Sequence, residues 1–213
     1  MPPQLIETIR IDADGAIPLL SRHLLRLSGS CAALGYAWPE AALLTALQDT
    51  AAALPAGRAH RLRLLLDRDG SWTMQTAGLP ALPPLPKVAV APQALDSQAP
   101  LLRHKTTHRP WYAEATDWLA AHPDHFDLLF FNERGELCEG SRSNVYLLRD
   151  GRWLTPPAAC GLLPGVQRAQ LLDEGQAAEA VLTVRDLRDA QGLRLSNALR
   201  GWFDVAVAEK SAG

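Results

Sequence analysis

The stretch DLLFFNERGELCEGSRSNVYLLRDGRWLTPP, residues 127–157, has the pattern of two consecutive β-hairpins. Its apolar runs flank two turn signals, Arg134-Gly135 and Asp150-Gly151, where glycine permits the backbone of a tight turn. The next segment, VQRAQLLDEGQ at 166–176, is typical of a short helix. Hairpins and single helices without regular βαβ repetition predict an α+β fold.

Toward the N-terminus, strand and helix patterns alternate. LIETIRID at 5–12 is rich in β-branched residues and predicts a strand that turns at Asp14-Gly15 and returns over Ala16–Leu20. Two helices follow, the first capped by Ser21 and the second opened by Pro39. The other predicted elements are a hairpin over 60–79 around Asp69-Gly70, an edge strand over Val88–Ala91, a helix over 109–122, and strands over 180–190 and 193–209.

The length of 213 residues allows one large domain or two small ones. ALDSQAP at 94–100 is the best linker candidate because it places polar, turn-forming residues between apolar runs. We therefore expect a small N-terminal α/β domain over 1–96 and a larger C-terminal domain over 97–213.

Composition excludes several classes of protein. With 47% hydrophobic residues, 21% charged residues and a net charge of −2, the chain is neither disordered nor basic enough to attract nucleic acid. It has no apolar run of membrane-spanning length, and from its first residues, MPPQLIETIRIDADG, we expect no secretory signal. Its three cysteines are widely spaced, which argues against a disulfide framework or a zinc site. We expect a cytoplasmic protein without a metal site.

Lysine is scarce, since Lys87, Lys105 and Lys210 are the only lysines among 21 basic residues. A lysine differs from an arginine in having a primary amine that can lose its proton and attack a carbonyl. Lys105 lies just past the expected linker, near a domain junction, where pockets tend to form. It is therefore either a nucleophilic amine or an ordinary solvated side chain.

Three further features could take part in binding, and each has a plain structural alternative. Glu139, followed by Ser141, Ser143 and Asn144, is either a carboxylate directed into a site or part of a strand connection. The loop between Gly161 and Gly165 precedes a helix whose first N–H groups could bind phosphate, although such loops are also common elsewhere. Arg26 on the first helix is either a bidentate phosphate ligand or solvent-facing.

An amine, a carboxylate and an anion-binding loop are the groups that pyridoxal 5′-phosphate (PLP) requires. Six segments of the chain carry a further signal: LIETIR (5–10), RHLLRL (22–27), HKTTHRPWYAEA (104–115), FNERGELCEGSRSNVYLL (131–148), LTPPAACGLLPGVQRAQLL (154–172) and SNALRG (196–201). These segments occur in the order found in class IV aminotransferases, the fold-type IV PLP enzymes, and the chain resembles that family over nearly its whole length.

The resemblance implies roles for particular residues. Lys105 would hold PLP and act as the catalytic amine, and Glu139 would pair with the nitrogen of the cofactor ring. The other cofactor-binding residues it implies are Arg26, Ser143, Asn144, Gly165, Val166, Gln167, Asn197 and Ala198. Substrate contacts would come from Thr8, Arg109 and Tyr112.

The resemblance also implies a fold and a reaction. Family chains combine a small α/β domain with a larger pseudo-barrel domain, and here the small domain would be shortened at its start. N-A-L at 197–199 and K-T-T-x-R-x-x-Y at 105–112 resemble aminodeoxychorismate lyase-like proteins, which split 4-amino-4-deoxychorismate into 4-aminobenzoate and pyruvate for folate synthesis. The alternatives are a transaminase of branched-chain or D-amino acids and a PLP-fold scaffold without activity.

The same resemblance predicts partners. Fold-type IV sites are completed by a neighbouring subunit, so a homodimer is expected. Short lyase-like relatives are often fused to an aminodeoxychorismate synthase, which makes that synthase a candidate partner.

Overall fold

The computed structural model describes residues 2–208, which form two compact units. The first unit comprises the residues up to Ala81 together with His104–His108, and the second comprises Leu82–Arg103 and the residues from Arg109 onward. This division differs from the predicted boundary between residues 96 and 97. No helix in the described part of the chain is long and apolar enough to cross a membrane.

The first unit is a three-stranded antiparallel sheet with two helices. Its elements are β1 (Leu5–Ile11), α1 (Leu20–Leu34), α2 (Glu40–Ala53), β2 (His60–Leu66) and β3 (Trp72–Gly78). The strand order is β1-β2-β3, so the predicted hairpin around Asp69-Gly70 is confirmed. Leucine and isoleucine side chains from the sheet and both helices form one buried cluster.

Two predictions for the first unit are wrong. Residues 16–19 form no strand, and β1 pairs with β2 instead. Pro18 lacks the N–H that a strand ladder needs, and Leu19 adopts a left-handed conformation (φ 61°) just before α1 begins. Ser21 lies inside α1, and the residue at the cap position, Leu19, provides no side-chain hydrogen bond.

The second unit contains two sheets. Its elements are β4 (Lys87–Val90), a 3-10 turn (Pro110–Tyr112), α3 (Ala113–Ala121), β5 (His125–Phe131), β6 (Leu137–Gly140), β7 (Asn144–Arg149), β8 (Arg152–Thr155), a second 3-10 turn (Ala158–Cys160), α4 (Val166–Asp173), β9 (Ala178–Glu179), α5 (Val184–Asp189), β10 (Gly192–Asn197), β11 (Gly201–Asp204) and β12 (Ala206–Val207). The sheet orders are β12-β4-β5-β6 and β11-β10-β7-β8-β9. The hairpins β5–β6 and β7–β8 are confirmed, as is the α+β class.

Three local predictions for the second unit are wrong. β4 is not at an edge, because it pairs in parallel with both β12 and β5. The segment 94–100 is no linker, since Leu95 is buried and Ser97 donates to Glu133 through both its N–H and its hydroxyl. Residues 184–189 form α5 instead of a strand, because Thr183 and Asp186 form a reciprocal capping box at its start.

These pairings account for the division of the chain. β4 joins the sheet of the second unit and brings the residues after Ala81 with it. Residues 104–108 pair with β1 instead, so the chain returns to the first unit for five residues.

Candidate functional site

The segment that carries Lys105 has its backbone held by β1. The N–H of Ile6 donates to the carbonyl of Lys105 at 2.7 Å, and the N–H of Thr107 donates to the carbonyl of Gln4 at 2.9 Å. Lys105 itself is half-buried. The lysine is therefore attached to a strand, and its main chain has little freedom to move.

One face of α1 carries three polar side chains toward this strand and segment. His23, Arg26 and Ser30 are spaced by three and four residues, which places them on one side of the helix. The Ser30 hydroxyl lies 3.0 Å from Nδ1 of His104, the residue before the lysine. Arg26 and His23 both bind Glu7, a β1 residue that is only 1% exposed.

Glu7 is a buried carboxylate with two cationic or hydrogen-bonding neighbours. Arg26 donates from Nε to Oε1 at 2.9 Å and from Nη2 to Oε2 at 2.6 Å, and Nδ1 of His23 lies 2.6 Å from Oε2. Burial alone would raise the pKa of Glu7, but Arg26 and His23 outweigh burial and lower it from 4.5 to about 2. Glu7 thus fixes the direction of Arg26, the predicted phosphate ligand.

Glu139 lies on β6 in the second unit and is 3% exposed. Its Oε1 accepts two hydrogen bonds, from the hydroxyl of Tyr112 at 2.5 Å and from the N–H of Leu163 at 3.0 Å. The guanidinium of Arg109 lies 4.5 Å from the ring centre of Tyr112 and donates to the carbonyl of Ser141 at 2.8 Å. Tyr112 and Arg109, predicted to contact substrate, therefore surround the acid and the turn after it.

That turn is held by Asp127, a buried β5 residue. Its carboxylate accepts hydrogen bonds from the N–H and hydroxyl of Ser141, at 2.8 and 2.6 Å, and from the hydroxyl of Ser143 at 2.5 Å. Burial raises the pKa of Asp127, and the two serine hydroxyls oppose this. A Cβ at Gly140 would run into this carboxylate, so the close approach requires glycine.

The N-terminus of α4 lies next to the same region of the second unit. Asn144 donates from Nδ2 to the carbonyl of Leu163 at 2.9 Å, and a Cβ at Gly165 would collide with the amide oxygen of Asn144. Gly165 provides no side-chain cap, and the first turn of α4 has no acidic residue. The N–H groups of Val166 and Gln167 are therefore suited to an anion.

A third piece of the second unit is the turn after β10. Oδ1 of Asn197 accepts the N–H groups of Leu199 and Arg200 at 3.1 and 3.0 Å, which orders the turn containing Ala198. Nδ2 of Asn197 donates to the carbonyl of Arg142 at 3.3 Å and connects this turn with the one that follows Glu139.

The predicted site residues therefore fall into two sets. The first unit holds Lys105, Arg26 and Thr8; the second holds Arg109, Tyr112, Glu139, Ser143, Asn144, Gly165, Val166, Gln167, Asn197 and Ala198. Glu139, Asn144 and the start of α4 are brought together through Leu163. The hydroxyl of Ser143 donates a hydrogen bond to Asp127. Thr8 follows Glu7 on β1 and is half-buried.

Sequence reasoning did not identify Asp127 or Glu7 as parts of the site. The sequence contained a signal in both cases, because each acidic residue lies on the same face of its strand as apolar residues. Glu7 shares the buried face of β1 with Leu5 and Ile9, and Asp127 shares a face of β5 with Leu129. A buried carboxylate needs hydrogen-bond donors. An acidic residue among the apolar residues of a strand therefore indicates that other side chains or N–H groups are arranged around it.

These residues fit PLP chemically. A dianionic phosphate matches the N-terminus of α4, a ring cation matches a buried carboxylate at Glu139, and Lys105 supplies an amine. In the described part of the chain, no group of three or more His, Cys, Asp or Glu residues could hold a metal ion.

Comparisons with known proteins agree with this chemistry. Residues 4–208 match the family profile described as amino-transferase class IV. A Schizosaccharomyces pombe protein named as a candidate aminodeoxychorismate lyase is 32% identical over 198 residues, which cover 88% of this chain and 83% of that one.

Two solved structures show the same fold. That of a candidate amino-acid aminotransferase from Mesorhizobium loti has a TM-score of 0.89 and 38% identity, and the match covers 97% of this chain and all of that one. That of 4-amino-4-deoxychorismate lyase from Pseudomonas aeruginosa has a TM-score of 0.78 and 26% identity, with 97% and 83% covered.

The low pKa of Glu7 generates a prediction about acid stability. At pH 7, Glu7→Gln should lower the free energy of unfolding by about 3 kcal/mol, because it removes the carboxylate from Arg26 and His23. The contribution of Glu7 is complete above its ordinary pKa of 4.5 and is lost as the pH falls toward about 2. The difference between wild type and variant should therefore shrink below about pH 5.

Urea unfolding followed by circular dichroism at several pH values measures this difference. Glu40→Gln, at an exposed position in the first turn of α2, is the matched control and should keep the wild-type pH profile. If Glu7→Gln lowered the free energy of unfolding by the same amount at every pH between 7 and 3, the account would be contradicted.

Proposed function

The chain belongs to the class IV aminotransferase family of PLP-dependent enzymes, and from this premise we propose that it is a 4-amino-4-deoxychorismate lyase. The observation that carries the proposal is the similarity to the S. pombe relative over 88% of this chain and 83% of that one. The motifs N-A-L at 197–199 and K-T-T-x-R-x-x-Y at 105–112 support the same reaction. The products would be 4-aminobenzoate and pyruvate.

The proposal gives each set of residues a binding task. PLP, when bound, supplies an aldehyde that condenses with amines and a protonated ring that accepts electrons. Glu139 keeps the ring nitrogen protonated by charge pairing. The N–H groups of Val166 and Gln167 would bind the phosphate, and the resemblance adds Arg26 to the phosphate ligands. Ala198 provides only its backbone, so these three residues carry more of the anchoring.

Lys105 performs the proton transfer. With PLP bound, Nζ of Lys105 would take the proton from the substrate ring carbon that bears the amine. The bond between the substrate ring and its enolpyruvyl ether oxygen then breaks. The ring becomes aromatic as 4-aminobenzoate, and the leaving group gains a proton and departs as pyruvate. No second substrate is needed.

Transamination is the second candidate function, and the 38% identity to the candidate amino-acid aminotransferase from M. loti is the observation that favours it. It would use Lys105 for the same proton abstraction, and its overall reaction passes the amino group of an amino acid to a keto acid acceptor. A transaminase must also bind the carboxylates of two different substrates. The two reactions therefore differ in whether a keto acid is required for turnover.

Product analysis tests the proposal. Purified protein loaded with PLP and given aminodeoxychorismate alone should release equal amounts of 4-aminobenzoate and pyruvate over many turnovers. Lys105→Ala should abolish this release, whereas Lys87→Ala, at an exposed position of β4, should preserve it. Conversion that stops after one equivalent per subunit and resumes on addition of a keto acid would favour transamination.

We further propose that the enzyme acts as a cytoplasmic homodimer, and that a synthase making aminodeoxychorismate is its protein partner. The three cysteines are all free thiols, which suits a reducing compartment. The homodimer rests on the resemblance, in which the site is completed across the interface.

Sedimentation at assay concentration should therefore give about twice the chain mass of 23.1 kDa. Dilution that produces monomers should reduce turnover in parallel. A monomer with full activity would refute the dimer.

A further inference from the structure

The side chain of Tyr112 contacts the acid instead of standing open to a substrate. It is 4% exposed, and its hydroxyl donates to Oε1 of Glu139 at 2.5 Å. Its ring meets Phe130 edge-on with 5.1 Å between ring centres, and the guanidinium of Arg109 lies 4.5 Å from its centre. These contacts hold the ring, so the hydroxyl stays directed at one carboxylate oxygen.

We propose that Tyr112 is a positioning residue that, through its phenolic hydrogen bond, orients the carboxylate of Glu139 toward the ring nitrogen of the cofactor. The inference rests on the proposed function, because it assumes that Glu139 pairs with such a nitrogen. It extends that function by assigning a task to a residue that would otherwise be a substrate contact.

The energetics of burial support this role. A carboxylate that is 3% exposed loses most of its hydration, and burial alone favours its neutral form. Two donors meet Oε1 of Glu139, the N–H of Leu163 and the hydroxyl of Tyr112. Hydrogen bonds to an ionised acceptor are stronger than neutral ones, so both donors favour the carboxylate. Removing the phenol would take one of these two donors away from Oε1.

The neighbouring groups of the second unit keep their protons or are bound elsewhere. Burial, and then the charge of Glu139, raises the pKa of Tyr112 well above its usual value, so its hydroxyl remains a donor throughout the neutral range. Burial, followed by the same charge, raises the pKa of the Cys138 thiol. Asp127 binds the serine hydroxyls, and Arg109 is the nearby cation. Tyr112 thus donates to Glu139 through a side chain that keeps its proton.

A pair of cofactor probes separates this role from a general effect on the pocket. PLP has the ring nitrogen, and 1-deaza-pyridoxal 5′-phosphate has a carbon in its place while keeping the aldehyde and the phosphate. Both dissociation constants can be measured on the apoprotein by tryptophan fluorescence, without any turnover. The wild-type protein should bind PLP more tightly than the deaza analogue, because only PLP can pair with Glu139.

Tyr112→Phe keeps the ring but removes the hydroxyl. It should reduce the preference for PLP by on the order of tenfold while leaving the affinity for the deaza analogue unchanged. Tyr146→Phe is the matched control, since Tyr146 is also a buried phenol of the second unit but pairs with Ser196. This control should keep the wild-type preference.

The possible results distinguish a failure of the role of Tyr112 from a failure of the proposed function. Equal weakening of both probes by Tyr112→Phe, or an unchanged preference, would overturn the positioning role. Failure of the wild-type protein to bind PLP at all would overturn the proposed function itself, and this inference with it.

If Tyr112→Phe does not fold, replacing the chain's three tyrosines by 3-fluorotyrosine gives the test instead. The fluorinated phenol is a stronger donor, so the preference for PLP should rise. An unchanged preference would contradict the proposal.

Discussion

A carboxylate that is buried away from water must accept hydrogen bonds from the protein, and three buried carboxylates of this protein hold its elements in place. Glu7 is met by Arg26 and His23, Glu139 by Tyr112 and Leu163, and Asp127 by its serine neighbours. Each acid is buried to 3% exposure or less, so an unmet oxygen would cost several kcal/mol. The donors come from helices, turns and loops, which are thereby fixed against their strands. The same requirement that stabilises the fold also places the groups available for chemistry.

Local patterns were sufficient to predict most of the elements. The turns at Asp69-Gly70, Arg134-Gly135 and Asp150-Gly151 predicted three hairpins, all confirmed, because glycine at a positive φ is a local requirement of the turn. The predictions that failed depended on distant partners. The parallel neighbours of β4 come from far along the chain, and the burial of 94–100 depends on Glu133. Neither contact leaves a signal in the segment itself.

The candidate site shows the same limit. Motifs identified Glu139 and the start of α4 as cofactor-binding candidates, and the structure brings both to Leu163. The resemblance implies a substrate contact for Tyr112, but a sequence gives the position of a residue and not the direction of its side chain. Its burial against Phe130 and Glu139 appears only once β5 and β6 are paired. The roles of all these residues stay predictions.

The central claim is that Lys105 is the amine that holds PLP, and covalent trapping tests it most directly. Protein loaded with PLP should show a visible absorption band that borohydride bleaches, because reduction fixes the cofactor to the amine. Peptide mass mapping should then find one phosphopyridoxyl group per chain, on Lys105 in the segment HKTTHR at 104–109. The group on Lys87 or Lys210, or no retained group after denaturation, would contradict the account.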